Sequence, residues 1–141
     1  MKEPPRRKAR ELVLQALYAS DCSETSPEEI FSSVIKDEKL SDKNLEFSRS
    51  LYNLVQENAA WADEQISRLA EHWDVNRIAV IDRDIIRMAM VELARMPETP
   101  FKVVLNEAIE LARKFSTSES PAFVNGILDA YVKEIEKVRK E

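Results

Sequence analysis

Apolar residues recur along this chain with the period of an α-helix from one end to the other. Ala9, Leu12, Val13, Ala16, Leu17 and Ser20 keep the i, i+3, i+4, i+7, i+8, i+11 spacing of one helix face. Ser26-Pro27-Glu28-Glu29 reads as a helix start, with Ser at the cap, Pro at the first position and Ile30, Phe31, Val34 and Ile35 as the apolar side. A further start at Ser41-Asp42 leads into Leu45, Ser48, Leu51, Tyr52 and Val55. The pattern predicts a break near Glu57-Asn58 before it resumes in Ala62, Ile66, Leu69, Ala70 and Trp73. From Ile81 to Met96 the chain is apolar nearly all round, as in the buried centre of a bundle, with a narrow polar arc of Arg83, Asp84, Arg87 and Arg95. Glu92 falls among Ile85, Met88, Ala89 and Met96, where a carboxylate needs a partner. We expect that partner to be an arginine or the N–H groups of a helix start.

Met96-Pro97 ends that helix, and Thr99-Pro100 caps one running to about Phe115. Ser120-Pro121 opens the last, on Phe123, Val124, Ile127, Leu128, Tyr131 and Ile135. Asn125-Gly126 is a hairpin signal in other settings, but the helical spacing continues across it. The expectation is a helix in which Gly126 admits a close neighbour, at about 1 kcal/mol in propensity. The pattern predicts an all-α fold of six or seven helices.

Composition narrows the function. With one glycine in 141 residues, Gly-rich phosphate loops and dinucleotide fingerprints are excluded. A lone cysteine, Cys22, makes neither an internal disulfide nor a Cys-rich zinc site, and a lone histidine, His72, makes no His-based metal cage. No cofactor or metal is expected. No apolar run approaches the roughly 18 to 20 residues of a membrane span. Met-Lys-Glu-Pro-Pro-Arg-Arg-Lys lacks the apolar stretch of a secretory signal, so a cytoplasmic location is expected.

The net charge is −5, but it is unevenly placed. Residues 1–11 carry five basic and two acidic side chains, a balance of +3, while the remainder carries 16 basic and 24 acidic, a balance of −8. A basic edge on an acidic body points to a local anion-binding surface. Arg6, Arg7 and Arg10 share one arc of the first helix, and guanidiniums there can grip phosphates and stack on bases. On pattern alone, a solvated, charged helix end with a few exposed ion pairs is the simpler reading. Ser116 to Ser120, flanked by Phe115 and Phe123, is either a base-binding loop or a plain helix connection. Arg83 and Arg87 could bind an anion or pair with acids of the body. Asp82, Asp84 and Glu92 lack a nucleophile beside a base, and Cys22 lacks a basic neighbour, so catalysis is not expected.

Four ordered blocks carry a resemblance. They are Arg6-Arg7-Lys8-Ala9-Arg10 with Gln15-Ala16-Leu17-Tyr18; Trp73 to Leu93, containing Ile81-Asp82-Arg83 and Ile86-Arg87-Met88-Ala89; Asn106-Glu107-Ala108-Ile109-Glu110-Leu111-Ala112; and Phe123-Val124-Asn125-Gly126-Ile127-Leu128-Asp129. Over nearly its whole length the chain resembles the NusB family of transcription antitermination factors. The resemblance implies a helical bundle of two packed subdomains, forming one RNA-binding domain over residues 1–141. It implies a non-catalytic protein that binds the boxA element of nascent RNA with the ribosomal protein NusE. The pair helps RNA polymerase resist termination on ribosomal RNA operons. The family's arginine-rich motif maps onto Arg6, Arg7 and Arg10, with Lys2 and Lys8 as helpers. Glu119 and Phe123 resemble further RNA-surface positions. Tyr18 and Asp82 match positions used against NusE, and Arg83 and Arg87 lie on the same helix as Asp82. RNA cytosine methyltransferases carry a similar domain, but no cofactor-binding domain is expected here. A helical protein–protein adaptor without direct RNA binding is the alternative.

Overall fold

The computed structural model describes residues 5–70 and 77–140. Among these residues seven α-helices follow in order: α1 (Pro5–Asp21), α2 (Pro27–Ile35), α3 (Asp42–Glu57), α4 (Ala59–Leu69), α5 (Val80–Arg95), α6 (Phe101–Phe115) and α7 (Ser120–Lys140). The described residues include no strand. The start signals act as their chemistry dictates. Ser26 Oγ accepts the Glu29 N–H at 3.3 Å, and Ser41 Oγ accepts the Asn44 N–H at 3.2 Å, each satisfying a donor that a first turn leaves open. The predicted break falls at Asn58, whose backbone N–H reaches the Leu54 carbonyl at 2.9 Å while its side-chain amide donates to the same oxygen at 2.7 Å. That closes α3 and lets α4 leave in a new direction. Thr99 caps nothing through its side chain; the Pro100 carbonyl accepts the Val103 and Val104 N–H groups and starts α6 alone.

Helix α5 is the seam. The helices α1 and α3 pack on one part of it, and α4, α6 and α7 on the rest, while α2 rests on α1. One apolar cluster runs through both groups, from Val13, Leu51 and Tyr52 to Ile86, Leu93, Leu111 and Leu128. Burying an aliphatic side chain of this kind contributes about 1.5–3 kcal/mol, so the all-round apolar character of α5 is what allows it to serve both groups.

Two further expectations need correction. Asp84, placed by helical angle in the polar arc of α5, is completely buried, because α5 is covered on that side too by the end of α1. Gly126 does lie within a continuous α7, but a Cβ built on it meets nothing within 4 Å. No neighbour approaches it closely; it borders an open cavity. His72 and Trp73 lie outside the described residues.

Candidate nucleic-acid interface

The basic edge of α1 runs from solvent into the bundle. Arg6 is exposed. Its guanidinium carbon sits 4.2 Å from the centre of the Phe47 ring, and its Nε donates to Asn44 Oδ1 at 3.2 Å. Arg7 is half-buried and grips Glu107 of α6 with two hydrogen bonds, 2.9 and 3.1 Å. Lys8 lies 3.9 Å from Glu38 at the surface. Lys2 lies outside the described residues.

Arg10 departs from the expectation of an open guanidinium. It is only 4% exposed, and donates to both oxygens of Glu92, at 2.9 and 2.6 Å. This answers the need of the buried Glu92 carboxylate with one of the arginines. The arc that Arg6, Arg7 and Arg10 share adjoins the apolar stripe, and helical angle does not reveal which of them the bundle closes over. Arg10 is a structural cation, unavailable to a phosphate in this arrangement.

The α6–α7 connection is organised by Asp82. Ser116 Oγ donates to Asp82 Oδ1 at 2.5 Å and Ser120 Oγ to Oδ2 at 2.9 Å. The two hydroxyls also lie 2.8 Å apart. Asp82 is 8% exposed, so its carboxylate is spent on the turn and offers a partner little surface. Glu119 is exposed and Phe123 half-buried; both border a cavity of about 600 Å³ shared with Leu69, Ile78, Asp82 and Gly126. The loop candidates and Asp82 therefore form one neighbourhood, which their separation in sequence conceals.

Tyr18 is 44% exposed on the C-terminal half of α1. At about 1.5 Å rise per residue it stands roughly 18 Å along the helix from Arg6. Beyond it, Asp21 lies 3.8 Å from Arg83 and 3.9 Å from Arg87. Arg87 makes two short hydrogen bonds to Asp63 of α4, at 2.7 and 2.6 Å, and approaches Asp84 at 3.5 Å. The two arginines are thus largely engaged in a charge network tying α1, α4 and α5. Burial, followed by the hydrogen bond and charge of Asp21, pushes the Asp84 carboxyl up to about 8, against the opposing pull of Arg87 and Arg83. One Asp84 oxygen and the Arg83 Nε are buried without a hydrogen-bond partner among the described residues. Asn44, Phe47, Asp21 and Asp63 were not among the sequence candidates. The apolar and capping patterns around them carry no signal of a contact made across helices.

Among the described residues no group of acidic, His or Cys side chains could hold a metal ion, and no helix is long and apolar enough to cross a membrane. Residues 7–133 match the NusB family model. The chain is similar to the transcription antitermination protein NusB of Koribacter versatilis, with 37% identity over all of this chain and 97% of that one. The Elusimicrobium minutum protein of the same name is 43% identical over 92% of this chain and 94% of its own length. Among solved structures, NusB of T. maritima has a TM-score of 0.86 at 38% identity, covering 95% of this chain and 94% of that one. A complex of antitermination factors NusB and NusE with double-stranded RNA shares the fold, with a TM-score of 0.80 at 23% identity over 92% and 97% of the two chains.

Proposed function

The chain belongs to the NusB family of non-catalytic transcription antitermination factors, and from that premise we propose that it binds single-stranded boxA RNA together with the ribosomal protein NusE. In that reading it acts in the cytoplasm, within the antitermination complex of RNA polymerase on ribosomal RNA operons. The observation that carries the RNA half is Arg6, exposed at the start of α1 with no carboxylate partner among the described residues. Arg7 and Lys8 follow it, and Lys2 precedes it in sequence. Glu119 and Phe123 would meet the RNA at the α6–α7 turn, which Asp82 holds in shape. Tyr18, with Arg83 and Arg87 behind it, would face NusE.

Two partners on one helix require separate faces, and the roughly 18 Å between Arg6 and Tyr18 along α1 supplies them. Arg10 stays in the reading as a residue that positions α1, not as a phosphate contact. The test is a titration of boxA RNA with and without NusE across a salt series. Counterion release gives a slope of about −0.7 per phosphate contact for single strands. Arg7→Ala and Arg6→Ala should each weaken binding and flatten that slope while the helical circular dichroism is unchanged. An unaltered slope in the double variant, with NusE binding intact, would favour an adaptor that does not touch RNA.

A further inference from the structure

Of the four cations of the N-terminal motif that the structure describes, three face a glutamate and one does not. Arg7 is matched by Glu107, Arg10 by Glu92, and Lys8 faces Glu38. Arg6 has only neutral holders: the Phe47 ring, which the guanidinium of Arg10 also approaches at 5.1 Å, and a side-chain amide oxygen. Both holders are firmly placed. Phe47 is 7% exposed and belongs to the apolar core, and Asn44 is 9% exposed, one turn earlier on α3 in the first turn capped by Ser41. Phe47 covers the guanidinium on the core side, and Asn44 takes the Nε proton. The side away from the ring and the two terminal nitrogens have no partner among the described residues.

Resting on the RNA-binding reading above, we propose that Asn44 and Phe47 are positioning residues that hold Arg6 as a stacking platform for one nucleobase of the bound RNA. A phosphate asks only for positive charge, which a freely moving lysine supplies as well. A base asks for a planar, oriented surface. A guanidinium resting on an aromatic ring offers that surface, with its terminal N–H groups free for the base edge or the adjoining phosphate. Restricting an exposed arginine before the ligand arrives also removes part of the ordering cost of binding. A lone aromatic would stack a base without charge, and a lone arginine would attract phosphate without fixed orientation. The Phe47–Arg6 stack does both at one spot.

The experiment uses the full chain and a single-stranded 12-nucleotide RNA containing the boxA sequence, intact or with the base removed at one position at a time. Fluorescence anisotropy reads affinity at fixed salt and across a salt series. One position should cost the wild type about tenfold when its base is removed, in the range of a single stacking contact. In Arg6→Lys the charge and salt slope are kept, the intact RNA should bind about tenfold more weakly, and removing that base should cost nothing more. Asn44→Ala and Phe47→Leu should shrink the same penalty, with Phe47→Tyr restoring it; circular dichroism and Asn44→Ala guard against a core defect in Phe47→Leu. A flat profile along the RNA, or a base penalty that survives in Arg6→Lys, overturns the proposal and leaves Arg6 as a phosphate contact only. Absence of any salt-dependent RNA binding by the wild type, with or without NusE, would bring down the RNA-binding reading itself and this proposal with it.

Discussion

The Arg10–Glu92 pair joins α1 to α5 inside the bundle through two hydrogen bonds, with side chains 5% and 2% exposed. A buried pair of this kind adds little over a well-packed apolar pair, yet breaking it strands one charge and costs about 3–5 kcal/mol. Glu92→Ala should therefore lower the thermal midpoint by about 10 °C. Arg10→Met combined with Glu92→Leu should recover most of the loss. A Glu92→Ala protein that melts with the wild type would show the carboxylate to be solvated. Asp84 makes the opposite case, a buried acid held near Asp21 with imperfect relief from Arg83 and Arg87. Its folded-state pKa is raised from 3.8 to about 8, so the folded protein keeps a proton that the unfolded chain releases. Its contribution to stability falls as pH climbs from about 4 to about 8 and is level outside that window. Asp84→Asn removes the titration at nearly constant shape. The stability difference, variant minus wild type in urea titrations, should grow steadily between those limits. A difference that does not change with pH would place the titration elsewhere.

Helix α7 carries the one glycine of the chain in its second turn, with open space where a side chain would go. An interior glycine costs a helix about 1 kcal/mol relative to alanine, and nothing at Gly126 opposes the replacement. Gly126→Ala should raise the thermal midpoint by about 2–4 °C. A lower midpoint would mean that the glycine serves a close approach after all. The methyl group would also narrow the mouth of the cavity beside Phe123 and Glu119, so RNA affinity measured on the same variant reports whether that cavity takes part in binding. At this scale the helices themselves are local products. Ser26, Ser41 and Asn58 act on backbone groups within four residues, which is why periodicity and caps were enough to place them. The role of Asp82 was out of reach by the same logic, since its hydroxyl partners lie 34 and 38 residues away.

With a net charge of −5 the protein alone should bind RNA weakly, and a basic partner would add both area and positive field. Tyr18 is the largest exposed apolar side chain on α1 and lies well away from that edge. Tyr18→Asp should weaken NusE binding at least tenfold in calorimetry, while the weak, salt-sensitive affinity of the isolated chain for RNA stays within about twofold. This separation is expected if the two surfaces are independent, since distant sites add without coupling. NusE binding at wild-type strength would show that the partner surface has been misplaced; a parallel loss of RNA affinity would show that the two surfaces are one.

The helices, the serine caps of α2 and α3, the break at Asn58, the buried character of α5 and the family could all be read from the linear chain. Each rests on short-range spacing or on ordered blocks that a linear reading preserves. The apolar surroundings of Glu92 required a partner for it without saying whether a helix start or an arginine would serve. Depth and pairing came from the packed bundle: Arg10 inside and Arg6 outside on one helical arc, Asp84 buried within an apparent polar face, Asp82 turned to the α6–α7 serines, and Phe47 with Asn44 beneath Arg6. Helical angle says which residues share a side of a helix, but which of them lose water depends on where the neighbouring helices end. That is set by the packing of the whole bundle around α5.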